Sequence, residues 1–131
     1  MQLYVVRSKV DKIGEDGKVQ YYGVPVLSGT VNEDIIAKEI STRCSLTPAD
    51  VLAALSALSD SIQEHLEDGR SVNLKGIGVF SVSASSEGFD IPEACTPAKV
   101  KARRICFRAD NALRGVLDRM KYQLTKRGKT K

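Results

Sequence analysis

There is no tryptophan in this chain of 131 residues, and aromatic residues make up only 5% of it. A core must therefore be aliphatic, drawn from a hydrophobic share of 42%. Histidine occurs once, as His65, and the cysteines are Cys44, Cys95 and Cys106. No Cys-x-x-Cys and no His/Cys cluster is present, which speaks against a metal site. An odd number of widely spaced cysteines also argues against a disulfide framework and fits a reducing cytoplasm. No apolar run is long enough for a signal peptide or a membrane span, so no membrane partner is expected. Neither a nucleophile–base constellation nor a phosphate loop occurs. The reading is a non-enzyme with no cofactor, no metal and no small-molecule substrate. The length suits one domain, or one domain with a small appendage.

Charge is unevenly distributed. Residues 1–98 hold 8 Lys/Arg against 14 Asp/Glu, whereas residues 99–131 hold 12 Lys/Arg against only Asp110 and Asp118. Such an asymmetry points to a polyanion partner for the C-terminal third; a solvated basic tail is the alternative.

The chain is organised around Gly69–Phe80. A helical pattern stops at Gly69, a short strand pattern covers Ser71–Leu74, and a glycine turn with Gly76 and Gly78 leads to a second strand from Ile77. Phe80, Val82 and Ala84 then share one face. Upstream, residues 3–10 and 18–27 are rich in strand formers and flank the turn signal Gly14–Gly17, which predicts a β-hairpin. Pro25 belongs on its edge or at a strand end. Tyr4, Tyr21 and Tyr22 read as its packing face rather than as a binding surface.

Thr30 and Glu33 have capping-box spacing and predict a helix carrying Ile35, Ile36, Ala37 and Ile40, ending near Arg43 or Cys44. Cys44 reads as a small core residue. A second helix opens at Thr47-Pro48, with Asp50 in its first turn. Val51, Leu55, Leu58, Ile62 and Leu66 form its apolar stripe, which carries more apolar area than one short helix can cover and hints at a partner surface. Its other face carries Asp60, Glu64, Glu67 and Asp68 and does not suit a polyanion. His65 reads as a surface or interface residue.

Beyond Ala84 the pattern lapses into a loop or arm with Pro92, Pro97, Glu87, Asp90 and Glu93. Val100–Arg108 reads as a strand with Ile105 and Phe107 on one face and Arg104, Cys106 and Arg108 on the other. Asp110 or Asn111 can cap a final helix whose stripe is Leu113, Val116, Leu117, Met120 and Leu124. Residues 127–131 read as a basic, frayed tail.

From Thr30 onward this order resembles the bacterial histone-like DNA-bending family, HU and integration host factor. The residues that carry the resemblance are Leu74-Lys-Gly-Ile-Gly-Val-Phe80, similar to a strand–turn–strand ending in Gly-x-Gly-x-Phe, and the Phe107 strand leading into the Asn111–Leu113 helix start. The resemblance implies an α+β fold: an intertwined homodimer with a helical base, a β-saddle and two β-arms that wrap the minor groove of double-stranded DNA. It divides the chain into an N-terminal hairpin extension (1–29), similar to one in Bacteroides-type HU-like proteins, an HU-like domain (30–126) with its arm at about 85–99, and the tail. It also places Leu55, Leu58, Ile62, Phe80, Val82 and Phe107 in a dimer core.

The cations expected to meet phosphates are Lys75, Lys99, Lys101, Arg103, Arg104, Arg108 and Arg114, with Asn111 at a helix N-terminus able to face an anion. No major-groove recognition helix is evident, so binding is expected to be weakly sequence-selective, nucleoid-associated and governed by backbone charge and DNA deformability. The arm departs from the family pattern. It is acidic, and no Arg-Asn precedes its prolines, so Ile91 and Pro92 are the candidate apolar wedge. A HU-fold dimer with reduced bending, acting as a structural or protein-interaction module, is the alternative function.

Overall fold

A computed structural model describes residues 1–10 and 17–125. Most of the expected Gly14–Gly17 turn and the whole 127–131 tail lie outside these residues. Contacts divide the chain into two units, one of residues 1–31 and 117–131, the other of residues 32–116.

The first unit is a three-stranded sheet. β1 (Gln2–Val10) pairs antiparallel with β2 (Val19–Val26), with Leu3 opposite Val26 and Val10 opposite Val19. Its other neighbour is β6 (Tyr122–Leu124), which runs parallel to it. That strand corrects the expected last helix, which stops at Arg119 instead of continuing through Leu124. Backbone pairing decides the difference. Gln2 N–H donates to the Lys121 carbonyl at 2.7 Å, and Thr125 N–H donates to the Tyr4 carbonyl at 2.9 Å. An unpaired edge of β1 is thereby satisfied, and the helical period of Leu124 loses to a tertiary partner. Tyr4 packs edge-on to Tyr122, their centroids 6.5 Å apart. Val5 is buried on the opposite face. Tyr21 and Tyr22 do not form a packing face; both are exposed.

The second unit begins with α1 (Glu33–Arg43) and α2 (Pro48–Glu67). Asn32, not Thr30, caps α1: its Oδ1 accepts from Ile35 N–H at 3.1 Å, so Glu33 is the first helical residue rather than the third. Cys44 caps the other end and is exposed, with its thiol donating to the Ile40 carbonyl, so it is not a core residue. At α2 the capping box is complete between Thr47 and Asp50, with both bonds 3.2 Å long. Pro48 sits at the first helical position, where its missing N–H costs no bond. α1 and α2 pack together, with Ala37 and Val51 as the buried positions.

After Gly69, β3 (Val72–Leu74), β4 (Gly78–Ser85) and β5 (Lys101–Ala109) form an antiparallel sheet in that order. The turn between β3 and β4 uses Gly76 at φ +82°, a conformation open to glycine at little cost. Gly78 is required for space: a Cβ there would stand 2.3 Å from the Arg108 carbonyl and 2.8 Å from the Phe107 ring. The absent side chain lets Phe107 lie against Phe80, its partner in register, at a centroid distance of 4.9 Å. Gly78→Ala must push β5 away from β4, and such overpacking costs on the order of 1–3 kcal/mol. Urea unfolding is expected to show that loss, with a broader near-UV aromatic signal as Phe80 and Phe107 separate.

Candidate nucleic-acid interface

The β4–β5 register sorts the sheet into two faces. Phe80 opposite Phe107 and Val82 opposite Ile105 make one face apolar. Ser81 opposite Cys106, Ser83 opposite Arg104, and Arg108 opposite Val79 make the other face polar and cationic. Strict alternation along β5 would send Arg103 to the apolar face. Instead the register slips by one residue: Ser83 pairs with Arg104, but Ala84 pairs with Ala102. Arg103 is the extra residue of a β-bulge, a device that re-aims side chains. Its Nε donates to Ser85 Oγ at 2.5 Å. The slip also pairs Lys101 with Ser85, which places Lys101 on the face of Ser83 and Arg104.

Two groups of sequence-expected cations follow. Lys99, Lys101 and Arg103 line one cleft of about 370 Å³ together with Ser85, Ser86 and the acidic Glu87. At the other end of β5, Lys75 is brought to the start of α3 (Asn111–Arg119). Asp110 makes that junction. Its Oδ2 accepts from Gly76 N–H at 3.0 Å and its own N–H donates to the Ile77 carbonyl at 2.9 Å. Asn111 and Arg114 therefore stand beside the turn that carries Lys75, and Arg104 and Arg108 lie along β5 between the two groups. The helix end read as open to a phosphate already has the Asp110 carboxylate next to it, which weakens its pull on an anion.

The stretch expected to be a β-arm is not a paired ribbon. β4–β5 pairing stops at Ser85 and Lys101, and residues 86–100 fold into two short 3-10 turns, Pro92–Ala94 and Pro97–Lys99. Each turn starts on a proline, which has no N–H for a ladder and a φ preset for such a turn. Ile91 and Pro92 are exposed at the first of these turns. Ile105, expected on one face with Phe107, is 66% exposed and extends the apolar face. Sequence reasoning missed two roles: Ser85 holds Arg103, and Asp110 ties the glycine turn to α3. A serine within a polar run gives no signal for the first. A carboxylate just before a helix reads as an ordinary cap, so its bond 34 residues away is invisible.

The expected dimer-core residues also converge. Leu55, Leu58, Ile62 and Leu66 of α2 face Phe80 and Ile105 across an open apolar groove of about 340 Å³. Phe107 and Val82, on the same sheet face, are 48% and 43% exposed.

Asp110→Ala removes the acceptor for Gly76 N–H, a charged hydrogen bond worth about 1.5–3 kcal/mol. A fall in urea midpoint is expected, with faster amide exchange at Gly76 and Ile77; unchanged exchange there would show that the turn holds itself.

Known proteins resemble this chain in sequence and fold. Residues 1–126 match the model of the family described as HU domain fused to wHTH, Ig, or Glycine-rich motif. Integration host factor subunit alpha of Caulobacter vibrioides is 29% identical over 92 residues, covering 69% of this chain and 92% of that protein. DNA-binding protein HRL18 of Rhizobium leguminosarum is 32% identical over 53 residues, covering 40% of this chain and 58% of that protein. Among solved structures, a putative DNA-binding protein from Bacteroides vulgatus superposes with a TM-score of 0.62 at 11% identity, over 93% of this chain. The chain spans 47% of the length of that protein, about half. Anabaena HU from a DNA cocrystal superposes with a TM-score of 0.50 at 20% identity, over 66% of this chain and 97% of HU. With its α+β architecture, its Gly78–Phe107 packing and a family match from the first residue to Lys126, this chain belongs to the HU–HIG family of HU-like proteins.

Proposed function

We propose that this protein is a nucleoid-associated, cytoplasmic DNA-binding protein that acts as a homodimer and contacts duplex DNA through the cationic face of β4 and β5. The observation that carries the reading is the β-bulge. It gathers Lys101, Arg103 and Arg104 on the face that also bears Arg108, opposite the apolar face. Cations arrayed along a strand meet phosphates without reading bases, so selectivity is weak and comes from DNA shape and stiffness. Lys99 extends the array toward the arm, and Lys75, Asn111 and Arg114 extend it toward the glycine turn. Names and folds of the family relatives support the same ligand.

The homodimer reading rests on the open groove. Among the described residues only Val5, Ala37 and Val51 are buried hydrophobics. Leu55, Leu58, Ile62, Phe80, Val82 and Phe107 stay at a surface that water would have to cover. Burying a side chain of this size is worth about 1.5–3 kcal/mol, and a twofold axis through the groove would set the same residues of two chains together.

The arm favours a second reading for bending alone. Two 3-10 turns and three acids make it short and poorly matched to a phosphate groove, with Ile91 and Pro92 as the pair available to wedge a base step. Reduced bending with retained binding is the form this reading takes.

Fluorescence anisotropy on intact and nicked duplexes tests both. If a dimer neutralises roughly six to ten phosphates, affinity falls about 10³–10⁵-fold between about 50 and 200 mM salt. Reversing Arg103 and Arg104 to Glu is expected to abolish binding at low salt with the fold intact. Wild-type affinity in that variant would reject the proposed face, and equal affinity for intact and nicked duplexes would favour reduced bending.

A further inference from the structure

Among the described residues, the first unit has an outer strand edge that only Pro25, at one end, protects. The direction of the β1–β6 bonds fixes which edge it is. Gln2 N–H and the Tyr4 carbonyl point to β6, so the backbone groups of Leu3, Val5, Arg7 and Lys9 point to β2. Their partners are Val26, Val24, Tyr22 and Gln20. The alternate residues Val19, Tyr21, Gly23 and Pro25 therefore turn their backbone groups away from β1, at the outer edge of the sheet. Pro25 conforms: its missing N–H falls where no partner in the sheet needs it.

Natural sheets block such edges with charge, proline, bulges or very short strands, and Pro25 blocks only the C-terminal end of this one, leaving Val19 to Gly23 open. β2 is eight residues long, pairs with β1 without a register break and carries no charged side chain. The part of β1 that runs beyond β6 carries Arg7 and Lys9 by contrast. Tyr21 is 71% exposed and Val19 49% exposed on the same face.

We infer that the outer edge of β2 is an interface for a second copy of this chain, paired antiparallel about a twofold axis at Tyr21. That register sets Tyr21 opposite Tyr21 of the partner subunit, and Val19 opposite Gly23 of the partner subunit. It uses the outward N–H groups of Val19, Tyr21 and Gly23 and leaves Pro25 beyond the paired segment. A second copy suits the edge because an uncharged strand meets itself without like-charge repulsion, and nothing on it would select a charged foreign strand. The two Tyr21 rings come side by side, with Cα atoms about 5.5 Å apart in such a hydrogen-bonded pair. Since the proposed DNA face lies in the other unit, this pairing would link two DNA-bound dimers. That consequence rests on the proposed function; the pairing does not.

Sedimentation equilibrium of the full chain, 14.3 kDa per copy, reads the proposal. The wild-type protein is expected to show concentration-dependent association whose first step doubles its mass, and because a homodimer presents two such edges, growth continues past the doubling where the α2 groove also pairs chains. Tyr21→Pro removes one outward N–H and no bond to β1, as Pro25 already does. Tyr21→Lys keeps the backbone whole and sets two like charges together. Both variants are expected to lose the doubling while keeping the wild-type far-UV circular dichroism and the mass of the smaller species. The smaller species reports the α2 groove separately, so failure of the homodimer reading would appear as a halved starting mass with the doubling retained. A wild-type chain that shows no doubling, or a doubling that survives Tyr21→Lys, overturns the inference.

Discussion

An apolar groove that one chain leaves open is the constraint on which this structure turns. The second unit makes every local commitment a stable domain needs: caps on both helices, a glycine turn, a paired sheet. Yet α2 and the β4–β5 face carry Leu55, Leu58, Ile62, Phe80 and Ile105 to a surface instead of an interior. The sheet is well ordered at that face, because Gly78 admits Phe107 against Phe80. The groove is thus a shaped half-core, and the proposed second copy supplies the missing half.

Sheet alternation ties the proposed DNA face to this half-core. Once Phe80, Val82, Ile105 and Phe107 are committed to one side, their neighbours on β4 and β5 face the other. The bulge then adds Arg103 and Lys101 to that side, and Asp110 anchors Lys75 beside the start of α3. Packing and charge are therefore two results of one register, and a slip of one residue would exchange them. The same alternation governs the first unit, where it sets Tyr21 at an exposed strand edge.

Much of this was legible because it rests on local chemistry. The α2 stripe, the Thr47-Pro48-Asp50 start and the glycine turn are written in consecutive residues, and each stands where the spacing puts it. The family resemblance was carried by the glycine turn and by the Phe107 strand leading into the Asn111–Leu113 helix start. What could not be read depends on distant partners. Leu124 continues a helical period but joins a strand because β1 offers it backbone groups from 120 residues away. Thr30 and Asn32 are both good caps, and only the chain path chooses Asn32. The residues after Ala84 read as a loop or arm and the resemblance implied a β-arm; Pro92 and Pro97 favour turns over ladders. Arg103 was expected among the phosphate contacts, but the bulge that takes it out of strict alternation along β5 leaves no mark in the sequence.

The central claim is that a second chain completes the half-core. The urea midpoint of the Tyr21→Lys chain, followed over a wide range of protein concentration, tests it most directly, because that background removes association through the β2 edge. A two-chain core predicts a midpoint that rises steadily with concentration, since folding and association are then one equilibrium. A midpoint independent of concentration would mean that one chain is stable with its groove open, and the account would be wrong.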